Sequence, residues 1–347
     1  MFKMTLYEIQ NRRAYNHREE KASKYPTYLN IETIAGCNLR CVMCPIGTGD
    51  FTRPNKIMDM GLFKKIVDEA SGNIRYSWLH WFGEPFLDPH IFERIKYAKS
   101  KGIKTQISSN ITRLTEEKAR QVLESGLDEM ILSLDGATKR TYESIRVMGN
   151  YEETMANAER FLRMKKEGGY KKPWARVQII KMHENEQEIQ AFVEKWKDLA
   201  DEIIIKPLIT WAGQVNVSAQ QTQVYKIPER YPCFNLWEQI TISAEGVATI
   251  CCYDFNAKYV IGDLKTQSIE EIYNGKRMTE LRQFHIDGKY PAPCDTCMEW
   301  AWPKPQMSVT KELVRGALED FKLYRTYQET KRAIRGKNTY LPAPGNG

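Results

Sequence analysis

The sequence predicts an α/β protein in which a parallel sheet with crossover helices precedes a small cysteine-rich unit. Between residues 28 and 207, short apolar segments alternate with longer segments of helical periodicity, which is typical of parallel strands joined by helices. After Pro207 this alternation gives way to an irregular bridge, and five of the eight cysteines follow it. The other three cysteines lie in one short run just after the first predicted strand.

Six strand–helix units are predicted in the first part of the chain. The predicted strands are residues 28–34, 76–82, 104–108, 129–134, 176–181 and 202–206. The predicted helices are residues 62–70, 89–100, 116–125, 151–166 and 186–199. A complete eight-unit barrel needs more chain than this. Because the C-terminal ends of parallel strands share one edge, functional groups are expected there, where the first cysteine run lies.

The composition indicates a globular, metal-binding protein. Of the 347 residues, 42% are hydrophobic and 27% are charged, which is ordinary for a globular chain. No apolar run is long enough to cross a membrane, and the N-terminus does not have the pattern of a signal peptide. Eight cysteines in a chain without an export signal favour metal-binding thiols over disulfides. A cytoplasmic location is therefore expected.

The formal net charge of +7 has two interpretations. Much of the excess lies in residues 3–24 and 304–337, which have the pattern of solvated helices. The alternative is a nucleic-acid footprint, but no basic patch interleaved with aromatic residues supports it. We expect no nucleic-acid partner.

The first cysteine run consists of Cys37, Cys41 and Cys44, spaced by three and then two residues and called here the N-terminal thiols. Closely spaced thiolates suit iron–sulfur or zinc ligation. A structural zinc site needs a fourth ligand nearby, and no further Cys or His occurs before His80. Three thiolates leave one iron of a four-iron cube open to an outside ligand, with zinc as the alternative.

This run, directly after an apolar strand, resembles that of radical S-adenosylmethionine (radical SAM) enzymes. The resemblance implies a partial (β/α)6 TIM-like barrel in which the open iron binds the amino and carboxylate groups of S-adenosylmethionine. The second predicted strand ends in Phe82, Gly83, Glu84 and Pro85. This sequence is similar to the family's Gly-Gly-Glu-Pro motif, although Phe82 replaces the first Gly. The resemblance assigns recognition of the cofactor's ammonium group to Gly83, Glu84 and Pro85.

The resemblance implies further cofactor contacts at the ends of the later strands. The residues implied to hold the ribose and carboxylate are Ser109, Asn110, Ser133, Asp135 and Arg146. For Arg146, a surface helix residue is the alternative. Met43 stands where the family often has an aromatic residue against adenine, and a thioether can make that contact. The histidines His80, His90 and His183 are expected to be structural.

The C-terminal cysteines resemble the auxiliary-cluster domain of radical SAM enzymes, in its SPASM or shortened twitch form. Residues 239–243 and 247–251 predict a hairpin with Gly246 at its turn, and Ser268 and Glu271 have capping-box spacing. No cysteine follows Cys297, which favours the twitch form with one cluster. The implied ligands of this cluster, called here the auxiliary thiols, are Cys233, Cys251, Cys294 and Cys297. A zinc knuckle of the same four residues is the alternative.

The resemblance implies two [4Fe–4S] clusters, one SAM-binding and one auxiliary, and reductive cleavage of SAM to a 5′-deoxyadenosyl radical that abstracts a hydrogen atom from carbon. Cys252 is left over, and because adjacent strand residues point to opposite faces, it is predicted to point away from the auxiliary cluster. As in related epimerases, it would return a hydrogen atom to the substrate; a small buried hydrophobe is the alternative. Asp254 is the candidate base of a competing dehydrogenation, with a solvated turn residue as its alternative.

The sequence constrains the substrate less. A sugar or cyclitol, on an anionic carrier, is expected. Aromatic residues that would stack on it or belong to the core are Trp237, Tyr253, Trp300 and Trp302. About 27 residues precede the first predicted strand, so a built-in leader-binding domain is not expected, and a precursor peptide remains an alternative substrate. A flavodoxin- or ferredoxin-type electron donor is expected, and the non-catalytic alternative is an iron–sulfur electron carrier.

Four segments are predicted along the chain. They are an N-terminal helical extension (1–27), the partial barrel (28–215), a small α+β auxiliary-cluster domain (216–305) and a basic helical tail with a disordered end (306–347).

Overall fold

The computed structural model describes residues 6–221, 230–301 and 307–309. Its strands are β1 Tyr28–Ile31, β2 Ile34–Ala35, β3 Lys56–Ile57, β4 Tyr76–Trp78, β5 Lys104–Ser109, β6 Glu129–Ser133, β7 Trp174–Lys181, β8 Glu202–Pro207, β9 Gln239–Ile242, β10 Val247–Thr249, β11 Val260–Asp263 and β12 Met307–Val309. Its α-helices are α1 Leu6–Asn16, α2 Pro45–Thr48, α3 Met60–Ala70, α4 Ile91–Ser100, α5 Glu116–Glu124, α6 Lys139–Ile145, α7 Tyr151–Glu167, α8 Ile189–Trp196, α9 Ile269–Tyr273 and α10 Lys276–Ile286. The basic tail and Trp302 lie outside the described residues. None of the described helices combines the length and apolarity needed to cross a membrane.

One sheet of ten strands runs through both predicted domains, in the order β11-β10-β9-β1-β4-β5-β6-β7-β8-β12. The six predicted strands are all present, and neighbours from β1 to β8 in this order are parallel. The predicted α/β class with a partial barrel and a small C-terminal α+β unit is confirmed. The sequence did not indicate that β9 pairs in parallel with β1, so that the cysteine-rich unit extends the barrel sheet.

The two faces of this sheet differ in polarity. Leu29, Ile107 and Val177 belong to the main core together with apolar residues of the helices, so this face points outward. The alternate residues, among them Asn30 and Gln178, point to the inner face, called here the lumen. Towards the N-terminal ends of the strands, Arg176 forms ion pairs of 2.8 Å with Glu129 and Glu202.

Two details of the predicted strands are wrong. The first two strands end at Ile31 and Trp78, because the chain bends to join Gly36 and Gly83 in an isolated parallel bridge. Strand β10 ends at Thr249, so Cys251 and Cys252 follow the strand, and strand alternation does not govern their directions. The hairpin turn at Gly246, with a φ of 89°, and the Ser268–Glu271 capping box at the start of α9 are as predicted.

Candidate active site

The N-terminal thiols lie on a tight loop between β2 and α2. The amide of Cys44 donates to the carbonyl of Cys41 at 3.1 Å, and the amide of Gly47 donates to the carbonyl of Cys44 at 2.8 Å. A Cβ at Gly47 would lie 2.1 Å from the carbonyl oxygen of Cys41, so only glycine fits. The amides of Arg40 and Val42 also donate to the carbonyls of residues 147 and 145. The loop is therefore fixed by its backbone.

Hydrogen-bond donors surround these thiols. The amide of Leu39 lies 3.4 Å and the Nδ2 of Asn110 lies 3.6 Å from the sulfur of Cys37, and Nη1 of Arg146 lies 3.6 Å from that of Cys41. Burial raises the pKa of Cys37 to about 11 and that of Cys44 to about 12. Binding of a metal centre must therefore displace protons from these thiols, and the neighbouring donors would then stabilise the sulfur charge.

No group of three Cys, His, Asp or Glu side chains within the described ranges has an arrangement that could hold a single metal ion. A zinc ion requires four ligands about one point. A cluster, whose thiolates bind separate irons, does not require this convergence.

Glu84 is a buried carboxylate in the segment that follows β4. It accepts hydrogen bonds from Ser109 Oγ at 2.7 Å, the Asn110 amide at 2.8 Å and the Phe86 amide at 3.1 Å. Burial raises its pKa. Beside it, a Cβ at Gly83 would lie 2.1 Å from the carbonyl of Ile34. Pro85 begins the 3₁₀ turn Pro85–Leu87. The strand end is therefore tied to the chain that leads into the N-terminal thiols.

The other predicted cofactor residues have different surroundings. Ser109 is buried and bonded to Glu84, so its hydroxyl supports that carboxylate. The Ser133 hydroxyl lies 3.2 Å from that of Ser108 on the lumen face. Asp135, whose φ is 60°, forms a 2.5 Å ion pair with Arg146. Arg146 is buried beside Cys41, so the surface-residue alternative is wrong.

An apolar cluster covers the N-terminal thiols. The Phe82 ring lies 5.0 Å from that of Trp211, centroid to centroid, and both belong to this cluster with the buried Met43. Trp211 Nε1 donates to the carbonyl of Met43 at 2.8 Å. The replacement of the motif's first glycine by Phe82 therefore supplies packing over the cysteine loop. Sequence reasoning missed Trp211, because its partner lies 168 positions away.

The four auxiliary thiols line one cavity together. The residues around it are Ala212, Arg230, Cys233, Asn235, Leu236, Ile250, Cys251, Tyr253, His285, Pro293, Cys294, Cys297 and Trp300. Cys252 is not among these lining residues. Instead, the carbonyl of Cys252 accepts a hydrogen bond of 2.7 Å from Trp81 Nε1. The fifth cysteine is therefore joined through its backbone to the segment that leads from β4 to Gly83.

Asp254 is held within its own turn. It is fully buried and accepts hydrogen bonds from the Thr249 hydroxyl and from the amides of Lys258 and Tyr259, the last two at 2.9 and 2.8 Å. Both carboxylate oxygens are therefore engaged. The solvated-turn alternative is wrong about exposure, and the contacts favour a structural role over that of a base.

A left-handed turn connects the two thiol sites. Trp211, Ala212 and Gly213 have φ values of 53°, 61° and 74°. The buried Glu299 accepts hydrogen bonds from the amides of Thr210 and Ala212 at 2.7 and 3.1 Å. Two non-glycine residues in this conformation are strained and persist only where their surroundings hold them. The chain next to Cys297 thus holds the turn whose tryptophan contacts the N-terminal loop.

A buried ion pair joins the barrel to the cysteine-rich unit. Arg53 pairs with Glu32 at 2.6 Å and Glu245 at 3.1 Å, and its Nε donates to the carbonyl of Phe255 at 2.8 Å. Glu32 is fully buried. The sequence did not indicate this ion pair, because its residues lie far apart along the chain and form no motif.

Comparison with protein families decides the identity. The model described as "Radical SAM superfamily" matches residues 31–195, and that described as "SPASM: Iron-sulfur cluster-binding domain" matches residues 233–298. The chain is a radical SAM protein with a SPASM domain. The predicted family is confirmed. Radical SAM and SPASM domains carry S-adenosylmethionine and two [4Fe–4S] clusters, one SAM-binding and one auxiliary, and the two sets of thiols described above suit these groups.

Relatives of this radical SAM chain act in different chemistries. The tungsten-containing aldehyde ferredoxin oxidoreductase cofactor-modifying protein of Pyrococcus furiosus is 23% identical over 78% of this chain and 86% of that protein. The AdoMet-dependent heme synthase of Methanosarcina barkeri is 30% identical over 39% of this chain and 38% of that protein. The mycofactocin maturase MftC of Mycobacterium tuberculosis is 29% identical over 38% of this chain and 34% of that protein.

Solved structures share the fold at low identity. Streptococcus suis SuiB bound to the precursor peptide SuiA has a TM-score of 0.62 and 14% identity, covering 84% of this chain and 74% of that one. The anSMEcpe structure with bound AdoMet has a TM-score of 0.56 and 15% identity, covering 81% of this chain and 85% of that one.

Proposed function

We propose that this radical SAM enzyme abstracts a hydrogen atom from a polar, hydroxyl-bearing carbon compound held in the lumen, and returns a hydrogen atom from Cys252, so that the compound is epimerised. The N-terminal thiols hold the SAM-binding cluster and the auxiliary thiols hold the second. When bound, S-adenosylmethionine and its cluster supply the 5′-deoxyadenosyl radical. The observation that carries the proposal is the position of Cys252 beside the auxiliary cavity but outside its lining, bonded through its carbonyl to Trp81.

The chain's own residues position the cofactor in this proposal. Glu84 and the backbone around Gly83 receive the ammonium group, and the fixed hydrogen bonds of Glu84 to Ser109 and Asn110 orient its carboxylate. Arg146, paired with Asp135, holds positive charge beside Cys41. The apolar cluster around Met43 excludes water from this end of the lumen, where a radical must be protected from side reactions.

The lumen wall supports a polar substrate. Several buried polar atoms on this wall have no hydrogen-bond partner within the described residues: Asn30 Oδ1, His80 Nδ1, Gln178 Oε1, Thr241 Oγ1 and both amide atoms of Gln239. Burial lowers the pKa of His80 to about 4, so its ring is neutral at pH 7. Buried polar groups require partners, and amide, hydroxyl and neutral imidazole groups match a hydroxyl-rich compound. A sugar or cyclitol fits this pattern.

The proposed reaction balances as follows. The substrate loses one hydrogen atom from carbon, and its radical takes one hydrogen atom from the S–H group of Cys252. The sulfur radical that remains needs one electron and one proton before the next turnover. A flavodoxin- or ferredoxin-type donor supplies this electron as well as the one consumed in SAM cleavage. In this proposal the electron reaches Cys252 through the auxiliary site, because Cys251, which forms part of that site, is the adjacent residue.

Anaerobic assays in deuterated water test this function. With dithionite, S-adenosylmethionine and a panel of cyclitols and nucleotide sugars, we expect 5′-deoxyadenosine and a product that has gained one deuterium. The Cys252→Ala variant should still form 5′-deoxyadenosine but give no epimer. A product lighter by two hydrogens would indicate dehydrogenation instead. Full epimerase activity in the Cys252→Ala variant contradicts the donor role, and absence of 5′-deoxyadenosine throughout favours an electron carrier.

A further inference from the structure

His285 is a buried histidine with one ring nitrogen unaccounted for. It lies on α10, is 1% exposed and lines the cavity of the auxiliary thiols. Its Nδ1 accepts a hydrogen bond of 3.2 Å from the amide of Cys233. An accepting Nδ1 carries no proton, so in the neutral ring the proton is on Nε2.

The Nε2–H group has no acceptor among the described protein atoms, although it is buried. An unpaired buried donor is costly, and native structures rarely leave one. The ring of Tyr290 also packs against His285, with ring centroids 4.9 Å apart and an interplanar angle of 86°.

We propose that His285 donates its Nε2–H to a sulfur atom of the auxiliary cluster and thereby raises the reduction potential of that cluster. This inference rests on the ligand set of the proposed function. A donor beside sulfur stabilises the added negative charge of the reduced state, and hydrogen bonds to sulfur are among the factors that set iron–sulfur potentials. The hydrogen bond from Cys233 fixes the ring, so His285 is a positioning and tuning residue, and it does not touch the substrate.

Two substitutions at this position separate the roles of the two nitrogens. His285→Asn keeps an acceptor near Nδ1 and loses the distal donor, whereas His285→Gln places an amide N–H near Nε2. Both are made in the full chain carrying Cys37→Ala, Cys41→Ala and Cys44→Ala, so that only the auxiliary cluster remains. The midpoint potential is measured by anaerobic redox titration monitored by electron paramagnetic resonance (EPR), with iron content determined for each sample.

We expect His285→Asn to lower the equilibrium constant for reduction about tenfold, as a lost hydrogen bond to a charged group predicts, which corresponds to about 59 mV for a one-electron couple. The potential of His285→Gln should stay close to that of the parent, which here is the chain that carries the three cysteine substitutions and keeps His285. Equal potentials in all three chains, or equal shifts in both variants, would overturn the inference.

Pulsed EPR of the reduced parent with ¹⁵N-labelled histidine provides a test without any change at position 285. We expect a ¹⁵N coupling to the cluster that is lost in His285→Gln, and its absence in the parent contradicts the hydrogen bond. A parent that incorporates no iron would instead refute the auxiliary ligand set, and the inference with it. Iron analysis detects that failure before any histidine variant is compared.

Discussion

The Arg53→Met substitution removes the cation that joins the barrel to the cysteine-rich unit. The Arg53 side chain is 8% exposed and that of Glu32 is 0% exposed, so solvent screens their ion pair little. Without Arg53, the hydrogen bonds that the described residues still donate to the Glu32 carboxylate come from the amides of Phe82 and Ala244, at 3.1 and 2.9 Å. Removing one partner of a buried pair costs about 3–5 kcal/mol. We expect a loss of this size in the free energy of unfolding.

The matched control is the double variant Glu32→Gln/Arg53→Met, which leaves no buried charge at this pair and should recover a large part of the loss. Burial already raises the pKa of Glu32, and Arg53 opposes that rise. Loss of Arg53 therefore raises this pKa further. A carboxyl with a raised folded-state pKa binds its proton more tightly when folded, so its penalty is full above that pKa and falls as the pH drops.

Anaerobic urea unfolding of the reconstituted proteins, followed by far-ultraviolet circular dichroism, compares the three chains at pH 8 and pH 5. The deficit of Arg53→Met relative to the double variant should shrink at pH 5. An equal deficit at both values, or a single variant as stable as the parent, would refute the reasoning that Glu32 is an ionised buried carboxylate that depends on Arg53.

Two further substitutions test the cofactor end of the lumen. Trp211→Phe keeps a ring against Phe82 but loses the hydrogen bond to the Met43 carbonyl. Loss of that bond, worth about 1 kcal/mol, should lower the affinity for S-adenosylmethionine about fivefold in anaerobic equilibrium dialysis. Loss of iron would instead indicate that Trp211 holds the thiol loop. Glu84→Gln replaces one carboxylate oxygen by an NH2 group, which cannot accept hydrogen bonds from the surrounding N–H and O–H donors. The lost hydrogen bonding, about 1–3 kcal/mol, should weaken binding of S-adenosylmethionine about fivefold or more. Unchanged affinity in Glu84→Gln would exclude that carboxylate from cofactor recognition.

Local sequence signals predicted most of the barrel and both sets of thiols. Alternating apolar segments fix parallel strands because each strand must bury its outer face against helices. Closely spaced cysteines within one loop indicate metal ligation, which is why the N-terminal thiols could be proposed as ligands without a structure. Gly83 has a steric reason in the structure that its motif only suggested, whereas the need for glycine at position 47 was not apparent from the sequence.

The contacts between distant segments could not be predicted in this way. Arg53 and Glu32, Trp211 and Met43, and His285 with Cys233 are brought together by tertiary packing. The direction of Cys252 was argued from strand alternation, and that argument failed because β10 ends at Thr249. Asp254 was predicted to be a base, with a solvated turn residue as the alternative, and its burial within the turn could not be seen from the sequence.

Iron analysis combined with EPR tests the central claim, that two separate thiol sets hold two clusters and only one of them binds the cofactor. The anaerobically reconstituted parent should contain about eight iron ions per chain, and the variant lacking the N-terminal thiols about four. Added S-adenosylmethionine should change the EPR spectrum of the parent and leave that of the variant unchanged. Zinc at the N-terminal thiols, or a parent spectrum insensitive to S-adenosylmethionine, would contradict the account.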